Sequence, residues 1–189
     1  FFVARGELDL VGMVGTANRG TLVQPPRQLD EQTLRDDSGA VIKFAELEPR
    51  WAMVIPVTGG HCDADCEHRL YTTRQIHVAM GKEFNRLRRL YVSPDSVKNT
   101  SLTVAQLSDG RPASAAGEFA AYLATEHTDL QALTLSAASY SALFPEQAVD
   151  ASTWYLVDPA GWVMMSYTKE ISYKDVIADL KFLLKNSGG

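Results

Sequence analysis

Cysteine is scarce in this chain: its 189 residues hold only Cys62 and Cys66. Two are too few for a disulfide scaffold, and a chain of this length can build a hydrophobic core without one. Long apolar runs are missing as well. No stretch reaches the roughly 18 to 20 apolar residues that span a bilayer as a helix. Basic charge is in deficit, with 18 Lys and Arg against 23 Asp and Glu and a net charge of -5. That balance argues against nucleic acid, whose phosphates require clustered cations. The one basic cluster, Arg86, Arg88 and Arg89, leads into an apolar stretch and reads as the solvated entry to a strand. Internal repeats and low-complexity segments are also lacking. What is present, 46% hydrophobic and 22% charged residues, is the composition of an ordinary globular domain. The chain opens on Phe1-Phe2-Val3 without Met, which raises the expectation of a preceding anchor or signal segment.

Residues 1–32 carry Gly6, Gly12, Gly15, Gly20 and Pro25-Pro26 without a sustained period, and read as an extended, partly irregular arm. The main domain is expected over 33–189. Asp36-Asp37-Ser38-Gly39 is a turn signal between Thr33-Leu34 and Val41-Ile42, predicting a β-hairpin. Trp51 to Val57 is nearly all apolar, as in a central strand covered on both faces, with Pro56 at the end of its paired part. Thr58-Gly59-Gly60-His61 breaks that strand. From about Asp63 to Phe84, Cys66, Leu70, Thr73, His77, Met80 and Phe84 recur at helical spacing. Leu90-Tyr91-Val92 predicts a short strand, Pro112 the start of a helix through Leu123, Leu130 to Leu135 a strand, and Ser139 to Phe144 a short helix. Trp154 to Val157 and Trp162 to Tyr167 form a hairpin around Asp158-Pro159-Ala160-Gly161. Ser172 is an N-cap for a final amphipathic helix. This order, βαβ, helix, then ββα, predicts an α/β thioredoxin-like fold: a three-layer α/β/α sandwich whose central mixed sheet carries an N-terminal β-hairpin extension.

A Gly-rich turn from an apolar strand into a helix presents unpaired N–H groups and the positive end of the macrodipole. Cys62 is expected there, where thiolate is favoured, with Cys66 one helical turn on as resolving thiol or second metal ligand. Asp63 and Asp65 oppose the thiolate. This placement favours redox or metal chemistry over a structural bridge, with Cys62 the more accessible and first-reacting thiol.

The motif Cys62-Asp63-Ala64-Asp65-Cys66 after a central strand resembles the Sco (SenC) family of cytochrome c oxidase assembly proteins. The likeness extends to Asp37-Ser38-Gly39, to Val92-Ser93-Pro94-Asp95, and to Val149-Asp150-Ala151-Ser152 followed by Trp154 to Gly161, over about residues 33 to 186. It implies a thiol–disulfide oxidoreductase of an extracytoplasmic, periplasmic compartment, membrane-anchored by the expected N-terminal segment. Its partner would be a protein thiol or disulfide, an oxidase subunit or a copper chaperone. Copper is the implied metal, held in that family by two cysteines and a histidine. Ala151 stands at the histidine's place, and the thioredoxin family's cis-proline is replaced by Ser152 or Thr153. Cys62, Cys66 and His61 are therefore the candidate ligands of an altered site, and a non-catalytic interaction module is the further alternative. The peroxiredoxin signature around a peroxidatic thiol is absent.

Of the other histidines, His68 is expected to face solvent, His77 to be a satisfied half-buried side chain, and His127 to sit favourably against a helix dipole. Met164 and Met165 are expected to pack the core, one inward and one outward.

Overall fold

The computed structural model describes residues 19–187, so Gly6, Gly12 and Gly15 of the expected arm lie outside the described residues. Among the described residues ten strands appear in chain order: β1 (Thr21–Gln28), β2 (Leu34–Arg35), β3 (Val41–Ile42), β4 (Trp51–Pro56), β5 (His61–Cys62), β6 (Leu87–Ser93), β7 (Ser101–Leu102), β8 (Leu130–Thr134), β9 (Trp154–Val157) and β10 (Trp162–Tyr167). The α-helices are α1 (Ala64–Ala79), α2 (Phe119–Glu126), α3 (Ala137–Leu143) and α4 (Tyr173–Asn186).

Eight strands form one mixed sheet in the order β1-β10-β9-β4-β6-β8-β2-β3, while β5 and β7 make a separate parallel pair. β4, β6 and β8 run parallel, β9 lies antiparallel beside β4, and β10 lies antiparallel beside β9. All six residues of β4 are buried, because alternate side chains feed two cores. Met53 packs with Ile76 of α1 and Leu180 of α4, whereas Ala52 and Val54 pack with Tyr140 and Leu143 of α3. A third cluster on the α1 side joins Ile55 and Tyr91 to Phe119 and Tyr122 of α2, and this cluster holds both cysteines. The three-layer α/β/α architecture is thus set by the two-faced burial of β4 and β6.

Residues 21–28 are more than an arm. They form an edge strand on β10, and the register shift between Leu22 and Arg27 brackets Pro25-Pro26, which lack ladder donors. The predicted hairpin is β2–β3, closing the opposite end of the sheet. α1 stops at Ala79, and Gly81–Arg86 continues as a 3-10 helix where the sequence predicted α-helix to Phe84. Met164 and Met165 are both buried in one core, because register slips between Val163 and Met165 and breaks the simple alternation. In the β9–β10 turn, Gly161 adopts φ +96, and a Cβ there would collide with Gln28 Oε1.

Arg89 corrects the reading of the basic cluster. Its side chain is 0% exposed, on the face of β6 that packs against α1. Asp129 lies 3.3 Å from Nη1, while Leu70 O and Thr73 Oγ1 accept from Nη2 and Nε. A buried guanidinium needs such partners, and they come from elements remote in sequence.

Candidate active site

After β4, Val57 N donates to Val92 O, and the chain turns through Gly59 and Gly60, whose φ values are +91 and +73. Few residues with a Cβ tolerate that conformation, which explains the paired glycines. The chain re-enters as β5, and its pairing with β7 aligns Cys62 with Leu102. Thr103 N donates to Cys62 O at 3.0 Å. Asp63 then caps α1, its carboxylate accepting from Cys66 N at 3.1 Å. Cys62 therefore precedes the cap, and Cys66 lies in the first helical turn, where the dipole acts.

The two cysteines form a disulfide, with Cα atoms 5.0 Å apart. Their proximity agrees with the expectation, although Cys62 lies in β5 ahead of the cap and not on the helix; their access does not. Cys62 is 0% and Cys66 1% exposed. Residues 97–116 fold over the pair, contributing Leu107 and Ala113 to its cluster with Leu102 and Val104 at the margin. The tip of this cover is a tight turn, in which Leu107 N donates to Arg111 O and Gly110 N to Leu107 O. Ser108 pins it to α1: its N–H and hydroxyl donate to the Glu67 carboxylate at 2.9 and 2.6 Å. Glu67 directly follows Cys66 and is itself buried. No local pattern signals this, because a Glu beside a cysteine reads as a solvated helix position.

His61 is exposed, and successive strand positions point to opposite faces, so its ring is turned away from Cys62. Ala151 is exposed in the turn before β9. Asp150 organises that turn by accepting from Ser152 N and Oγ. Among the described residues no three His, Cys, Asp or Glu side chains gather as metal donors. With the two sulfurs bonded to each other and His61 turned outward, the residues present do not fit a three-donor copper site.

His68 is exposed, as expected. His77 is buried and bonded to Asp129 and Phe84 O at 2.9 and 2.8 Å, a satisfied core side chain. His127 corrects the dipole reading. It is buried, its Nδ1 accepts from Arg89 Nη2 at 3.1 Å, and its Nε2 lies 3.0 Å from the Tyr122 hydroxyl. Burial and then the Arg89 charge push its pKa down to about 3, so the ring is neutral and gains nothing from a helix dipole as a cation. Asp129, hydrogen-bonded by His77 and facing Arg89, is held down at about 2.

The family described as "Transmembrane-like, thioredoxin-like, C-terminal domain" matches residues 51–114 and 105–187. The chain belongs to this family. Among solved structures, copper-bound yeast Sco1 superposes at a TM-score of 0.58 with 16% identity, over 90% of this chain and 96% of that one. A SCO1/SenC family lipoprotein from Bacillus anthracis superposes at 0.55 with 16% identity, over 86% and 99%. A thiol:disulfide interchange protein from a Bacteroides species superposes at 0.51 with 14% identity, over 92% of each chain. At these identities the likeness establishes a Sco-like thioredoxin fold. None of the curated protein sequences compared with the chain matches it.

Proposed function

We propose that this thioredoxin-like domain is a Sco-like thiol–disulfide oxidoreductase working through Cys62 and Cys66, in an extracytoplasmic compartment, on a protein partner in copper-site maturation of cytochrome oxidase. The observation that carries the reading is the bonded cysteine pair at the Gly-rich turn into α1. The yeast and Bacillus neighbours support the Sco branch, and the interchange protein supports the thiol chemistry.

In the reducing direction the Cys62 thiolate attacks one sulfur of a partner disulfide, forming a mixed disulfide and releasing the partner's first thiolate. The Cys66 thiolate then attacks Cys62 Sγ, releasing the second partner thiolate and forming the Cys62–Cys66 bond. Two electrons pass to the partner. A thiol reductant reverses the pair for another round. Because the oxidised pair is buried, its reduction requires residues 97–116 to lift.

That burial favours a second reading, an interaction module whose disulfide is structural. Dithiothreitol reduction of the native protein, quenched by alkylation and read by mass, separates the two. An active pair is reduced under conditions that leave the fold intact, and a Cys66→Ser variant traps a partner on Cys62. A structural bridge is reduced only as fast as the whole domain unfolds, which would overturn the proposed activity. The copper-chaperone reading lacks a third donor, and anaerobic Cu(I) titration of the reduced protein tests it: retention against a competing chelator would restore it.

A further inference from the structure

Among the described residues two arginines are buried, Arg69 on α1 and Arg89 on β6, and they are treated differently. Arg89 has Asp129. Arg69 is 5% exposed, yet its hydrogen bonds run only to main-chain oxygens: Nη1 to Pro56 O and Thr153 O, and Nε to Asp65 O. No carboxylate among the described residues forms an ion pair with it, and the charges of Asp63 and Asp65 reach it only across a distance. Its Nη2 has no acceptor among the described residues and is not among the polar atoms sealed from solvent.

Arg69 lines a groove of about 630 Å³ between α1 and the start of α4. Tyr71, Trp154 and Val176 supply apolar wall, and Lys169, His68 and Asp65 share the lining. Arg69, Lys169 and His68 are the basic side chains of the lining, set against Asp65 within it and Asp150 facing both Arg69 and Lys169 from beside it. A largely apolar cavity of this size with a few placed polar groups is the usual form of a small-molecule site. The main-chain oxygens supply partial charge but no counter-ion to the buried guanidinium, and its planar fork suits a carboxylate.

We propose that this groove binds a small organic carboxylate with an apolar body, the carboxylate meeting Arg69 Nη2 and the body lying along Tyr71, Trp154 and Val176. The site is separate from the disulfide, whose cluster shares none of these residues.

The test compares octanoate with octanamide, equal in length and differing in charge, by titration calorimetry on the native protein. Octanoate is expected to bind one to one and at least tenfold more tightly than octanamide, and Arg69→Met, which keeps volume and removes charge, is expected to abolish that preference. Lys169→Gln, an exposed change, should weaken octanoate by a few fold without affecting octanamide. Should Arg69→Met fail to fold, the Arg69 Nε resonance of the native protein serves instead, and it should shift with octanoate and not with octanamide. Equal affinity for acid and amide, an unchanged preference in Arg69→Met, or a titration that leaves the Arg69 resonance unmoved would overturn the proposal.

Discussion

The Ser108 hydroxyl is the part of the disulfide cover most open to a clean perturbation. It donates at 2.6 Å to Glu67, a buried carboxylate directly following Cys66, while Ser108 is itself exposed. Ser108→Ala removes that bond and leaves the Ser108 N–H bond at 2.9 Å in place. Hydrogen bonds to charged groups contribute about 1.5 to 3 kcal/mol, and partial solvent access at the tip places this one near the lower end, about 1 to 1.5 kcal/mol. If cover opening precedes thiol attack and recloses faster than attack occurs, reduction follows the opening equilibrium. The loss then speeds reduction by roughly 5- to 10-fold, since about 1.4 kcal/mol is tenfold. The assay is dithiothreitol reduction under native conditions, with timed alkylation and mass detection. Ser136→Ala is the control. Ser136 caps α3 on the opposite face, so its loss costs about 1 kcal/mol of global stability without touching the cover. Equal acceleration in both variants would show that reduction proceeds by global unfolding, and no acceleration in Ser108→Ala would show that Glu67 and Ser108 do not hold the cover.

The disulfide closes a loop of only five residues, for which chain entropy predicts about 2 kcal/mol of stabilisation, so the reduced domain should stay folded with a modestly lower urea midpoint. Asp129→Asn leaves Arg89 buried without its carboxylate but still bonded to Leu70 O, Thr73 and His127, and with Asp129 partly exposed it should cost about 1 to 3 kcal/mol in urea unfolding. Acid should destabilise the fold. His127 is neutral with a pKa near 3 against about 6.5 unfolded, so below pH 6.5 the unfolded chain takes up the proton first and up to about 5 kcal/mol is lost by pH 3. Asp158, raised to about 6 by burial, works the other way and offsets part of this loss as pH falls from 6 to 4. His127→Gln should therefore flatten or reverse the dependence of urea midpoint on pH between 6.5 and 4; an unchanged slope would mean that His127 is not the group responsible.

The sequence by itself determined the frame. The unbroken apolar run of β4, the glycine pair after it, the stripe Cys66, Leu70, Thr73 and His77, and the β9–β10 turn are local patterns whose period or backbone demand admits one structure. The nearness of Cys62 and Cys66 followed from their short separation across the turn into α1, with Cys62 on β5 and Cys66 in the first helical turn. What the tertiary structure decided was access and charge. Whether Cys62 meets solvent depends on residues 97–116, some forty positions downstream, and on the contact from Ser108 to Glu67. Arg89 reads locally as a solvated strand entry and His127 as a helix-end cation because Asp129 and Arg89, which meet them in the core, lie about forty positions away, and the Thr153 oxygen that meets the buried Arg69 is more remote still. Periodicity reports which face of an element is apolar; it cannot report a polar side chain whose desolvation is met by a partner from another element.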